Sequence, residues 1–196
     1  MILIYAEART GSSNLLRSIM INLFNRVYDI EAPHFEPFKN KKPRKSSLPY
    51  IIKHIGKHCG PEDNRYLLNK YEKIILLTRD CVENQALSWA IASKTKLWRF
   101  SKEHQENMEY KKDDIPEVNQ VEWRIKYLNS SKQYALNTLK NKEYFHVTYE
   151  QLYATSPYTR TYTLINLLKF CDGGFSKTMD ELNMEFQHPK FCQRRS

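Results

Sequence analysis

Arg9-Thr10-Gly11-Ser12-Ser13-Asn14 gathers, in six consecutive residues, the groups that hold an anion. Arg9 offers a guanidinium whose fork matches phosphate or sulfate oxygens. Thr10, Ser12 and Ser13 add hydroxyl donors, and Gly11 allows close backbone approach. The stretch sits between a strand-like run, Ile2 to Ala6, and apolar residues at helical spacing, Leu15, Leu16, Ile19, Met20, Leu23 and Val27. It therefore opens a helix, whose first N–H groups and positive dipole end favour anions. It is not a Walker A loop, since it lacks the second Gly and the Lys-Ser/Thr pair that follows it. The same residues also suit an ordinary βα turn with helix-capping serines.

A second candidate lies further on. Arg79-Asp80 leaves the strongest strand-like run in the chain, Lys73 to Thr78, and Ser88 follows about two turns into the next helical segment. Arg79 at that strand end is expected to face the same cleft as Arg9, with Ser88 reaching the same anion; a local ion pair for Arg79 and plain packing for Ser88 is the other reading. Two anion-binding strand ends in one parallel sheet imply a ligand with two separated anionic groups.

Positioning these loops requires a scaffold. Ile51–Ile55 reads as a second strand, 62–71 as a helix, 82–95 as a helix with Asp80 placed to cap it, 118–139 as a long amphipathic helix, 144–148 as a fourth strand and 158–170 as a further helix. The polar, charge-dense segment 101–114 reads as a mobile excursion, and 39–47 as a basic loop that would greet an anionic acceptor if functional. Strands alternating with helices predict an α/β fold: one domain over 1–196, a three-layer sandwich with a central, mainly parallel sheet. Ligands of such folds sit beyond the carboxyl ends of the strands. The loops that matter are then Glu7–Asn14, the segment after Ile55, Thr78–Cys81 and Thr148–Leu152.

The chain's 196 residues suffice for one domain with a full core. A hydrophobic content of 41% and only 5 Gly argue against disorder and long flexible linkers. The formal net charge of +9 points to anionic partners. Cys59, Cys81, Cys171 and Cys192 form no CxxC pair and no zinc-like cluster with His. Reduced thiols, no stretch near the ~20 apolar residues of a membrane span, and no signal-peptide pattern at Met1 lead to the expectation of a cytoplasmic protein with no membrane contact.

These motifs resemble the sulfotransferases that use 3′-phosphoadenosine 5′-phosphosulfate (PAPS). The family's 5′-phosphosulfate loop carries a basic residue and then Ser/Thr-Gly-Ser/Thr-Ser/Thr, matched by Arg9-Thr10-Gly11-Ser12-Ser13. Its 3′-phosphate is held by an Arg at a later strand end and a Ser in the next helix, matched by Arg79 and Ser88. Arg79-Asp80, Gln85-Ala86-Leu87-Ser88 and Thr95-Lys96-Leu97-Trp98 are similar to the bacterial trehalose 2-sulfotransferase type, and Thr148-Tyr149-Glu150-Gln151-Leu152 to a Tyr-Glu-x-Leu signature. Lys96 departs from the small residue usual before that Trp, and Gln193-Arg194-Arg195 is shorter than the family's basic tail loop.

The resemblance implies a P-loop NTPase-like sulfotransferase fold and transfer of a sulfuryl group from PAPS to an acceptor hydroxyl, on a carbohydrate by preference, with adenosine 3′,5′-bisphosphate as product and no metal. Arg9 to Asn14, Arg79, Ser88 and Arg194 would bind the nucleotide. Arg9 would also stabilise charge in the reaction, and Glu36, with His34 second, would take the acceptor proton. Lys53, His54 and His58 would line the cleft beyond a strand end. Tyr149 and Glu150 read as structural residues at the last strand's exit. Trp89, Trp98 and Trp123 read as core or half-buried, Trp98 with a lesser claim to wall the acceptor pocket. A homodimer follows only by analogy. The rival readings are a P-loop kinase-like enzyme, which should need Mg²⁺ and a loop Lys, and a basic nucleic-acid binding module, for which no RNP-like, helix-turn-helix or zinc-finger spacing is found.

Overall fold

Ile2–Ala6 (β1) is buried at every position, which only an unbroken apolar run tolerates in the middle of a parallel sheet. In the computed structural model, which describes residues 1–25, 50–95 and 115–184, three further strands join it. They are Ile51–Ile55 (β2), Lys73–Thr78 (β3) and Phe145–Thr148 (β4). The order is β2-β1-β3-β4 and every pairing is parallel, Ile4 lying opposite Lys53 on one side and Ile75 on the other. The expected α/β class with a parallel central sheet is what the chain adopts.

Among the described residues the helices are Ser12–Phe24 (α1), Pro61–Lys70 (α2), Val82–Thr95 (α3), Val118–Leu139 (α4), Tyr149–Tyr153 (α5) and Pro157–Cys171 (α6), with a 3-10 turn at Gly56–His58. From β1 the chain crosses by α1 to β2, then returns by α2 past β1 to β3. Two right-handed crossovers running in opposite directions put their helices on opposite faces. Ile2, Ile4, Ala6, Ile75, Leu77 and Val147 accordingly share one core cluster with Leu15, Leu16 and Ile19 of α1 and Leu164, Leu167 and Leu168 of α6. On the other face, α2 docks through buried Leu67 and Leu68, and its Asn64 bonds to His54 of β2. Helix, sheet and helix make the three expected layers.

The chain divides into two compact units. One comprises Met1–Asp80 with Ala135–Ser196 and contains the whole sheet; the other is Cys81–Tyr134. Within the second, Trp89 is buried while Trp123 is 55% exposed, more than the half-buried place its sequence suggests. Tyr127, one turn on, stacks on Trp123 at 5.7 Å, and the Arg124 guanidinium covers both Trp rings, so the indole keeps contacts at the surface.

Helix boundaries follow local chemistry. Pro61 at the first position starts α2 and Pro157 starts α6, where the missing N–H costs nothing. Asp80 does not cap α3: the helix begins at Val82, Cys81 takes the cap position and its carbonyl accepts the Gln85 N–H. No disulfide joins Cys59, Cys81 or Cys171, and burial pushes the Cys171 thiol up to about 12, so it stays protonated. Among the described residues no helix is long and apolar enough to cross a membrane. The segments 39–47 and 101–114, Val27, Trp98 and the basic tail lie outside the described residues.

Candidate anion-binding site at the strand ends

In a sheet of order 2-1-3-4, the connection leaving β1 turns one way and that leaving β3 the other. The carboxyl ends of β1 and β3 therefore border the crevice where doubly wound folds receive ligands. The two loops singled out by residue type, 7–13 and 79–80, lie at those two ends.

The first loop is wound tightly. The Thr10 hydroxyl turns back to the Glu7 carbonyl at 2.9 Å, and both Arg9 (φ 68°) and Gly11 (φ 80°) adopt left-handed backbone. For Arg9 that conformation costs of order 1–2 kcal/mol, which the surrounding bonds must offset. Gly11 is the N-cap of α1, and no side chain caps the helix. The serines thus do not serve as caps. Ser12 and Ser13 occupy the first helical positions, where backbone N–H groups lack helical acceptors. The loop is held from below by Tyr153 of α5, whose hydroxyl donates to the Gly11 carbonyl at 3.0 Å. Burial, and then neighbouring Tyr149, raise the pKa of the Tyr153 phenol far above the ordinary tyrosine value, so it remains a donor at any working pH.

A lysine reaches this loop from another strand. Lys53 stands in β2, on the face of the sheet that α1 covers, and its ammonium donates to the Ser13 hydroxyl at 3.0 Å. It is 5% exposed although β2 is an edge strand. Lys53 and His54 therefore do not follow the strand end, as their sequence suggests; they lie within the strand and are buried. His54 faces the opposite side, with its Nε2 2.7 Å from Asn64 Oδ1, and Asn64 in turn donates to the Gly56 carbonyl at 2.8 Å. That role is structural. His58 lies half-buried in the turn beyond. Glu7, which the sequence places at the start of the first loop without a role, is a buried carboxylate at the end of β1; a side chain at Gly56 would collide with it and with the Tyr5 hydroxyl.

Arg79 arrives from β3. Its Nη1 donates to the Arg9 carbonyl at 3.4 Å, joining the two loops. Its Cζ lies 4.3 Å from the centre of the Tyr149 ring, and its Nε is 3.4 Å from Glu150 Oε1. The Nε contact is an ion pair by distance, but its angle falls short of a hydrogen bond. Glu150 Oε2 accepts the Asp80 N–H at 2.8 Å, and Asp80 Oδ2 accepts the Thr148 hydroxyl at 3.0 Å.

The segment Thr148–Leu152, expected as a loop, opens a short helix. Thr148 and Gln151 exchange bonds in a capping box, and the T-x-x-Q spacing is the sequence signal for it. Thr148→Ala should cost about 1–2 kcal/mol in denaturant unfolding, since it removes both the cap and the hydroxyl that holds Asp80.

Arg9, Thr10, Gly11, Ser12, Ser13, Asn14, Lys53 and Arg79 thus belong to the unit that holds the sheet, at or near the carboxyl ends of its strands. Ser88 is half-buried on α3 in the other unit. Glu36, His34 and Arg194 lie outside the described residues. Among the described residues no group of three or more His, Cys, Asp or Glu is placed to hold a metal ion. No protein-family model and no curated protein matches the chain.

Proposed function

We propose that this chain is a sulfotransferase that moves a sulfuryl group from PAPS to an acceptor hydroxyl. The observation that carries the reading is the convergence of two cations on the first loop: Lys53 on Ser13 at the start of α1, and Arg79 on the Arg9 carbonyl. A nucleotide with one anionic group at its 5′ end and another on the 3′ ribose oxygen needs two such positions. The left-handed turn at Gly11 and the uncapped start of α1 suit the first group, and Arg79 suits the second.

The reaction is an in-line displacement. The acceptor oxygen forms a bond to sulfur, and the bond from sulfur to the 5′-phosphate oxygen breaks. The acceptor proton passes to a base, Glu36 first and His34 second on the sequence pattern. The products are a sulfate ester and adenosine 3′,5′-bisphosphate. Charge grows on the leaving phosphate oxygens, and fixed donors there lower the barrier. Arg9, Lys53 and the first N–H groups of α1 are assigned that work. The acceptor is assigned to the carbohydrates, and the enzyme to the cytoplasm, on sequence grounds.

The Lys53 ammonium also favours a second reading. A buried lysine beside the loop can serve a nucleoside triphosphate as well, in a kinase-like enzyme whose loop lysine comes from a neighbouring strand. Calorimetric titration with adenosine 3′,5′-bisphosphate, metal-free, beside ATP with and without Mg²⁺, separates the two. Selective metal-free binding of the bisphosphate is expected. Binding of ATP alone, and only with Mg²⁺, would overturn the sulfotransferase reading in favour of the second.

A further inference from the structure

We infer that Glu150 is a positioning residue for the anion site, orienting the Arg79 guanidinium toward the first loop. The inference deepens the proposed function and rests on it for the identity of the ligand, but not for the geometry. Glu150 bridges two consecutive residues at the end of β3: one carboxylate oxygen lies against Arg79 Nε and the other accepts the Asp80 N–H. Tyr149 supplies a ring beneath the same guanidinium. Glu150 Oε1 lies 3.4 Å from Nε as an ion pair without hydrogen-bond geometry, and Nη1 donates to the Arg9 carbonyl at 3.4 Å, so two edges of the planar group carry contacts. Among the described residues, Nη2 has no hydrogen-bond partner, which leaves it as a donor to a ligand.

A carboxylate beside an anion site has an electrostatic cost, because it lowers the positive potential that attracts the ligand. A purely structural tether from α5 to Asp80 could be neutral, since an amide oxygen also accepts an N–H. What a carboxylate adds is a charged partner that fixes the guanidinium plane. The two roles predict opposite signs. If Glu150 only bonds Asp80, Glu150→Gln keeps that bond, removes a negative charge and leaves anion binding equal or tighter. If Glu150 positions Arg79, the same substitution weakens anion binding although the site becomes more positive.

The test is calorimetry with adenosine 3′,5′-bisphosphate on wild type, Glu150→Gln and Tyr149→Leu, with melting temperatures and the Arg79 Nε–H and Arg9 amide NMR signals followed in each. The expected result is roughly tenfold weaker binding in Glu150→Gln, with both signals displaced and little change in melting temperature, and a loss in the same direction for Tyr149→Leu. Unchanged or tighter binding in Glu150→Gln overturns the inference. If the wild type binds no bisphosphate, the sulfotransferase reading fails on its own account, and the NMR signals decide: displacement in Glu150→Gln upholds the positioning role, and fixed signals overturn it.

Discussion

Arg79→Ala is expected to weaken binding of adenosine 3′,5′-bisphosphate by two orders of magnitude or more in metal-free calorimetry. Truncating one member of a desolvated, hydrogen-bonded charge pair costs about 2–5 kcal/mol, and each 1.4 kcal/mol is about tenfold. Arg79 lies at the upper end of that range for a specific reason. Its removal takes away the proposed ligand donor and leaves Glu150, its partner at 3.4 Å, as an uncompensated carboxylate near the incoming anion. It also removes the bond to the Arg9 carbonyl, so the left-handed turn of the first loop loses one of its supports. Arg79→Lys should restore little, because a single ammonium cannot engage Glu150, the Tyr149 face, the Arg9 carbonyl and a ligand at once. Full affinity in Arg79→Ala would remove the second anion position from the proposal.

The second large effect falls on stability. Gly11→Ala should destabilise the protein by about 2–4 kcal/mol, the sum of a left-handed backbone penalty of roughly 1–2 and an overpacking cost of similar size. The added Cβ would sit 2.6 Å from Tyr153 Cε2, and that ring cannot step aside. It is 2% exposed and its hydroxyl is bound to the Gly11 carbonyl. For a chain of this size the melting temperature should fall by about 5–15 °C, with the denaturant midpoint lowered and its slope unchanged. The double variant Gly11→Ala, Tyr153→Leu separates the two causes. Removing the ring edge relieves the collision but not the backbone strain, so the combined loss should be smaller than the sum of the single losses. Strict additivity would show that Tyr153 does not enforce the glycine.

Both effects trace to α5, a helix of five residues that reaches the two loops at once. Tyr153 supports Gly11, while Tyr149 and Glu150 hold Arg79. The sequence reading takes Tyr149 and Glu150 as structural residues at the exit from the last strand and does not reach Tyr153; the capping box shows why the segment stops being a loop. Thr148 ends β4 and starts α5 without a break, so Tyr149, Glu150 and Tyr153 project at helical spacing from the end of the sheet.

What the residues determine by themselves is local. Unbroken apolar runs such as Ile2–Ala6 and Lys73–Thr78 must be strands buried on both faces. Leu15, Leu16 and Ile19 must share one side of a helix. Their alternation leads to a parallel sheet with covering helices, and to loops at the strand ends that carry Arg9 and Arg79. These properties depend on neighbours within a few residues, where backbone geometry and periodicity act directly. Tertiary structure decided the rest. The order β2-β1-β3-β4 placed the crevice between the ends of β1 and β3, and only pairing between distant segments sets that order. Parallel register turned Lys53 to the α1 face and His54 to the α2 face, which separates a lysine bonded to Ser13 of the first loop from a histidine bonded to Asn64. Strand periodicity puts Lys53 and His54 on opposite faces; which face meets which helix depends on crossover direction, a property of the whole sheet.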